Sequence, residues 1–220
     1  GGRHHVSSTG RIHRNTHLLK RGAKLSEYSE RQMQIISKAI ELIAEKSIQE
    51  LTIKNLANKL GVTDGAIYRH FASKTDILLG ILRLFQKRAK ENMEKTCTSD
   101  LPAIEKIEYL FSNNFKYFTE FPSVASVIFS ESIFQNDSLL SQEVHQLLNM
   151  QEKALSCVIL KGQENGEVCK QISEKELIYI IIGSMRYIVT KWRLSNYGFD
   201  LIAEGHLILV SLNKLLTPVK

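Results

Sequence analysis

The sequence predicts an all-α chain: an N-terminal three-helix domain built on a helix-turn-helix, then a larger C-terminal helical domain, about nine helices in all. Three observations lead there. Only three of the 220 residues are proline, and Leu, Lys, Glu and Gln, which favour helices, are abundant. Apolar residues recur every three or four positions over long stretches, whereas no segment alternates in the manner of a strand. Hydrophobic residues make up 43% of the chain, enough for a sizeable core.

The first helix begins near Ser29, whose spacing to Gln32 is that of a capping box. Ile35, Ile36, Ala39, Ile40, Ile43 and Ala44 then form one apolar face. Thr52 caps a second, short helix with Ile53, Leu56, Ala57 and Leu60 facing inward. Gly61 stops it, since glycine enters the left-handed conformation without a steric penalty. Thr63 caps a third helix predicted to run through Phe71, and Ser73 with Asp76 opens a fourth that continues to about Lys95. The breakers of "CTSDLP" (97–102) follow, so this fourth helix belongs to both parts of the chain. Further helical patterns lie near 102–120, 123–134, 138–165, 173–196 and 200–216. They are separated at Phe121-Pro122, Asn136-Asp137, "NGEV" from Asn165 and "SNYGFD" from Ser195.

The formal charge of +6 is unevenly placed. Arg3, Arg11, Arg14, Lys20, Arg21 and Lys24 carry all of the excess in residues 1–24, a segment with no acid and no lasting apolar period. That segment reads either as a basic arm that touches DNA phosphates or as a leader derived from expression. The rest of the chain is neutral, and residues 25–76 hold seven basic and seven acidic residues. Overall charge is therefore no argument for a nucleic-acid partner; the charges of the small domain must be segregated by face instead.

Several function classes recede. No nucleophile elbow, Walker loop, HExxH or dinucleotide fingerprint is present, so an enzyme is not expected. Cys97, Cys157 and Cys169 have no CxxC spacing, and His145 and His206 stand apart, so neither a metal site nor a cofactor is expected. The most apolar run, "LIYIIIGSMRYIV" (177–189), is too short to span a bilayer and contains Arg186. A soluble, cytoplasmic protein with no membrane partner is the expectation.

Residues 52–71 have a more specific content. Two helices of about two turns cross closely only with a small residue on the inner face, supplied by Ala57, and a tight turn, supplied by Gly61. Ile67 and Phe71 anchor the second helix and Val62 plugs the corner. In a helix-turn-helix this second helix enters the DNA major groove. Its first turn, Thr63, Asp64, Gly65 and Ala66, is lean enough to let the backbone approach base edges or a thymine methyl. Its N-terminal N–H groups suit a phosphate. Tyr68, Arg69 and His70 point away from the anchors and can reach phosphates; Arg69 is long enough to reach guanine. Lys74 and Thr52 add a charge and a hydroxyl beside the same surface.

The string "TIKNLANKLGVTDGAIYRHFASK" (52–74) strongly resembles the helix-turn-helix motif of the TetR family of one-component transcriptional regulators, T-I-x-x-[IL]-A-x-x-x-G-V-[ST]-x-G-x-[IL]-Y-x-[HY]-F-x-[SN]-K. The resemblance spans about residues 29–80. It implies a DNA-binding domain over 25–76 and an effector-binding and dimerisation domain over 77–220. It also implies phosphate contacts for Thr52, Tyr68, His70 and Lys74, and base contacts near Thr63, Gly65 and Ala66. Asp64 and Arg69 fall at variable positions of the motif. Asp64 can accept from a cytosine amino group, and Arg69 is the expected discriminator of sequence.

The last two helical patterns are apolar nearly all round, which means a thick core or a subunit interface. The resemblance favours an interface, with Ile181, Ile188, Leu201, Ile208 and Leu212 as its candidates in a homodimer that reads a palindromic operator of double-stranded DNA. The many aromatics are ordinary core or, as the family implies, the wall of an effector pocket, with Phe85, Phe111, Phe115, Phe118, Phe129, Met150 and Arg186 as candidates and Trp192 beside them. Arg186, the lone charge in its run, needs a partner, either Glu131 or an acidic group of a ligand. The effector expected is small and apolar or amphipathic. The function expected is that of a sequence-specific transcriptional repressor released by that ligand. The alternative is a helical sensor or lipid-binding protein whose helix-turn-helix does not bind DNA, favoured only by the neutral charge of the first domain.

Overall fold

A computed structural model describes residues 28–130 and 137–218. The basic segment 1–24, Glu131 and Phe134 lie outside the described residues. Among the described residues are nine α-helices and no strand. They are α1 (Glu30–Glu45), α2 (Ile53–Leu60), α3 (Asp64–Tyr68), α4 (Lys74–Thr98), α5 (Ala103–Glu120), α6 (Pro122–Ile128), α7 (Ser138–Glu164), α8 (Glu174–Leu194) and α9 (Leu201–Leu216). Two compact units part between Ile81 and Leu82, within α4.

In the first unit, α1 opens with the capping box expected of its sequence. Gln32 N donates to Ser29 Oγ at 3.3 Å, and Ser29 N donates to Gln32 Oε1 at 2.9 Å. Ile35, Ile36 and Ala39 on α1 and Leu56 and Ala57 on α2 are fully buried, so the two helices share one small core. A cluster of charges closes their outer seam. Lys38 pairs with Glu41 at 2.7 Å, and Lys59 reaches Glu45 at 2.7 Å and Glu41 at 3.9 Å. These contacts engage two of the unit's lysines inside the protein and leave other cations for its outer surface.

In the second unit α5 is the central element. It packs against α9, α7 and α6 and buries Ile107, Leu110, Phe111, Asn114, Phe115 and Phe118. α9 approaches it closely at Gly205, where an added Cβ would run into the Phe115 ring. Pro122 begins α6 at a position where its missing N–H is not needed. The predicted helix over 123–134 ends instead at Ile128. There Arg193 Nη1 donates to the Phe129 carbonyl at 2.7 Å, a carbonyl that a longer helix would have used internally.

The two helices expected to be apolar on every side are each buried on one. α8 buries Leu177, Ile181, Met185, Ile188 and Trp192, while Ile180 and Tyr187 are exposed. α9 buries Leu201, Leu209, Leu212 and Leu216, while Ile202, Leu207, Val210 and Leu215 are exposed. The interface candidates fall unevenly on these faces. Ile181, Ile188, Leu201 and Leu212 are at most 5% exposed within their own subunit and have no surface to offer a second one. Ile208 is half-buried.

Candidate nucleic-acid interface and effector cavity

The helix-turn-helix is assembled by local rules. Thr52 has extended backbone, and its hydroxyl accepts from Asn55 N at 3.1 Å, which starts α2. Gly61 ends α2 at φ 66°, a left-handed conformation that other residues adopt at a cost. Val62 N then donates to Ala57 O at 3.0 Å, turning the chain. The Thr63 hydroxyl accepts from Ala66 N at 3.3 Å and starts α3. The third helix is shorter than its sequence predicts, ending at Tyr68 rather than Phe71, with Arg69 and His70 in a turn. Gln32 Nε2 donates to the His70 carbonyl at 3.2 Å and so holds that turn on α1. Ile67 and Phe71 are buried beneath it.

The outer face carries the residues singled out for DNA. Thr52, Thr63, Asp64, Gly65, Tyr68 and Arg69 are exposed, with Tyr68 at 55%, and Ala66 and His70 are half-buried. A Cβ at Gly65 would meet only Thr63 Oγ1, at 3.9 Å, an ordinary contact. Gly65 also lies in the first turn of α3, where alanine is the better helix former. Nothing inside the protein requires that position to be bare. Asp64 lies in the first turn of α3, where an acid also complements the helix dipole. Lys74 is engaged internally, its Nζ donating to Ile48 O at 3.2 Å, and desolvation by burial lowers its pKa below the ordinary lysine value. Two of its three ammonium donors remain for other partners. Sequence reasoning missed both the Gln32 and the Lys74 tethers, since each links residues far apart in the chain.

The second unit holds a small cavity of about 20 Å³, room for about one water molecule, between α4, α5, α7 and α8. Ala89, Met93, Phe111, Leu155, Ile182 and Met185 form its apolar wall, and Asn92, Asn114 and Gln151 are its polar groups. Asn114 is buried and donates to Met185 Sδ at 3.9 Å, a weak acceptor for a strong donor. Of the predicted effector residues only Phe111 lines this cavity. Phe85 instead stacks on Phe118 with ring centroids 5.7 Å apart, Phe118 meets Phe129 edge to face at 5.6 Å, and Phe115 meets Phe111 edge to face at 6.2 Å. They are core, because aromatic rings at helical spacing bury most area against one another. Met150 is half-buried elsewhere on α7, and Trp192 donates through Nε1 to Phe199 O at 3.1 Å. Arg186 lies over the Phe129 ring, 5.2 Å from its centroid, and its proposed partner Glu131 is outside the described residues. Asn114, which is not among the candidates read from the sequence, interrupts the stripe Ile107, Leu110, Phe111, Phe115, Phe118.

Comparison with known proteins accounts for both units. Residues 35–81 match the family model described as "Bacterial regulatory proteins, tetR family", and residues 82–213 match "YsiA-like protein, C-terminal region". The chain is similar to the fatty acid metabolism regulator protein of Bacillus subtilis, 28% identical over 80% of this chain and 91% of that protein. It is also similar to a probable acrEF/envCD operon repressor of Escherichia coli, at 22% identity over 84% of this chain and 86% of the other. Its fold is similar to that of the transcriptional regulator FadR from Bacillus subtilis in complex with stearoyl-CoA, with a TM-score of 0.70 at 28% identity, covering 84% of this chain and 98% of the other. The fatty acid degradation regulator FadR from Bacillus halodurans has the same fold, with a TM-score of 0.75 at 22% identity, covering 86% and 97%.

Proposed function

This chain belongs to the TetR family and is a DNA-binding transcriptional regulator, and on that premise we propose that it is a cytoplasmic homodimeric repressor, released from a palindromic operator by a long-chain acyl thioester. The observation that carries the DNA-binding half is the leading edge of α3, where Gly65 is bare for no internal reason and Tyr68 and Arg69 stand exposed beside it. Arg69 reads bases; Thr52, Tyr68, His70 and Lys74 hold phosphates. Two such edges meet successive major grooves when they lie about 34–36 Å apart.

The dimer forms through the open apolar residues of α8 and α9, chiefly Ile180, Tyr187, Leu207 and Val210, rather than through their buried faces. Leu207, 61% exposed, is the test position. Leu207→Glu is expected to give a monomer of unchanged helicity by sedimentation equilibrium; a variant that remains dimeric rules this face out.

The acyl thioester is supported by the similarity to a fatty acid metabolism regulator and to a structure that holds stearoyl-CoA. Small-molecule pockets enclose about 300–1,000 Å³, far more than the 20 Å³ found between α4, α5, α7 and α8. Ligand entry therefore requires these helices to part. A ligand that binds only the parted form shifts the population toward it, and that differential affinity is what can weaken operator binding. The experiment is a gel shift on DNA upstream of the gene, with and without stearoyl-CoA, over a range of salt. A specific complex dissolved by micromolar acyl thioester is expected. Sequence-indifferent binding that vanishes as salt rises contradicts the repressor reading.

A further inference from the structure

Beside the effector cavity lies a second, polar cavity of about 230 Å³ that none of the foregoing uses. It opens between the end of α4, the start of α5 and the C-terminal half of α7. Its wall holds two of the three cysteines, Cys97 on α4 and Cys157 on α7, together with Lys106 and Lys161. Lys106 is only 6% exposed, yet its side chain borders the cavity. The third cysteine, Cys169, is buried elsewhere, its thiol directed at Leu215 O at 3.5 Å.

The two cavity thiols are neighbours across the seam between α4 and α7. Cys97 Sγ lies 3.9 Å from the carbonyl oxygen of Ala154. Ala154 lies one helical turn before Cys157 on α7, Cys97 and Cys157 line the same cavity, and Cys157 is close enough to act on the Cys97 thiol electrostatically. Cys157 is exposed and Cys97 half-buried. Ala154 is also part of the wall of the effector cavity, as are Ala89, Asn92 and Met93 on the same α4. The thiol pair therefore sits on the seam that must open for a ligand to enter.

We propose that Cys97 and Cys157 form a reversible disulfide that fastens α4 to α7 and holds the effector cavity shut, making ligand response conditional on a reducing environment. The proposal rests on the reading of the 20 Å³ cavity as the effector site. The oxidant is a hydroperoxide. The exposed Cys157 sulfur attacks the peroxide, its S–O bond forms as the O–O bond breaks, and the leaving oxygen takes a proton to depart as water or an alcohol. Cys97 sulfur then attacks the sulfenic sulfur, the S–S bond forms, the S–O bond breaks, and the hydroxyl leaves as water with the proton from Cys97. Two thiols lose two electrons and the peroxide gains them. The order follows from environment: burial pushes the Cys97 thiol pKa up and the nearby Cys157 adds to this, while Lys106 opposes both. The half-buried Cys97 thiol is suited to the second step, and the exposed Cys157 thiol to meeting the oxidant.

The test treats the full-length reduced protein with stoichiometric hydrogen peroxide at low protein concentration. Free thiols are counted after denaturation and the peptides are mapped by mass. Two of the three thiols are expected to disappear into one Cys97–Cys157 bridge within a single chain, restored by dithiothreitol. Cys169→Ser should leave this unchanged, whereas Cys97→Ser and Cys157→Ser should abolish it. Bridges only between chains, or a bridge to Cys169, overturn the proposal. The latch itself is read without ligand, by amide hydrogen exchange along residues 147–158 of α7. Slower exchange in the oxidised wild type, absent in Cys97→Ser, is expected, and equal exchange in the two redox states overturns it. Operator release by stearoyl-CoA is measured separately on the reduced protein. Failure there refutes the acyl-thioester reading and leaves the thiol mapping and exchange results to decide the disulfide. If release does occur, the oxidised protein should need about tenfold or more stearoyl-CoA, since the binding-competent fraction is reduced; an unchanged requirement overturns the latch.

Discussion

At the leading edge of α3 and at the seam between α5 and α9 the chain places a glycine within a helix, and the two answer to different neighbours. A Cβ at Gly205 would run into the Phe115 ring, whereas one at Gly65 would find only the Thr63 hydroxyl at 3.9 Å. Both sacrifice helix propensity, about 1 kcal/mol relative to alanine at Gly205 inside α9 and less at Gly65 in the first turn of α3. At Gly205 the return is visible inside the subunit, as close packing of two helices. At Gly65 it is not, so the return must come from a partner outside. Bareness that packing demands marks a core, and bareness that packing ignores marks a surface of approach.

The largest expected effect is at Gly205. Gly205→Ala must displace Phe115 and should cost about 1–3 kcal/mol of stability in urea unfolding, with operator affinity per folded molecule preserved. A variant as stable as wild type would mean that α5 and α9 are not in intimate contact. Next comes Arg69→Ala. It should leave stability unchanged, because the side chain is exposed, but lower affinity for the correct operator by about 1–3 kcal/mol and relax discrimination. Tyr68→Phe should instead weaken all sequences evenly. Uniform loss in both variants would refute this division of roles.

The smallest effect is at Glu167. Its carboxylate accepts from Ala103 N at 2.6 Å, at the start of α5, and from Asn165 Nδ2 at 3.2 Å. The Ala103 N–H, foremost, and the Asn165 amide hold its pKa below the ordinary carboxylate value. A folded pKa that is depressed contributes stability above the unfolded pKa and loses it as pH falls through the folded value. Glu167→Gln should therefore be less stable than wild type at neutral pH, by roughly a few tenths of a kcal/mol because the half-buried group is still screened by solvent. The difference should shrink on acidification. A gap that widens at low pH would contradict the assignment.

The same contrast explains what the sequence revealed and what it hid. Ser29, Thr52, Gly61 and Thr63 act on backbone groups three or four residues away, so caps and turns could be read directly, and with them the helix-turn-helix. The facing of α8 and α9 could not. Ile180 and Ile181 are both isoleucine, yet one is exposed and the other fully buried. A helix apolar on every side has no phase in its pattern, so the sequence cannot separate its buried face from its open one. The aromatic candidates and the cavity part for a related reason. Aromatics are the larger signal but pack into the core; the cavity is marked by Asn114, a polar break in the apolar stripe of α5. The termination of α6 at Ile128 depends on Arg193, 64 or 65 positions downstream, and no local rule carries that.

The central claim is that the bare edge of α3 serves a partner and not the fold. Gly65→Ala tests it most directly, with urea stability and operator affinity measured on one preparation. Stability unchanged or raised by up to about 1 kcal/mol, together with operator affinity lowered by about tenfold, roughly 1.4 kcal/mol, is the predicted result. Undiminished affinity, or a loss of stability that accounts for the loss of binding, would contradict it.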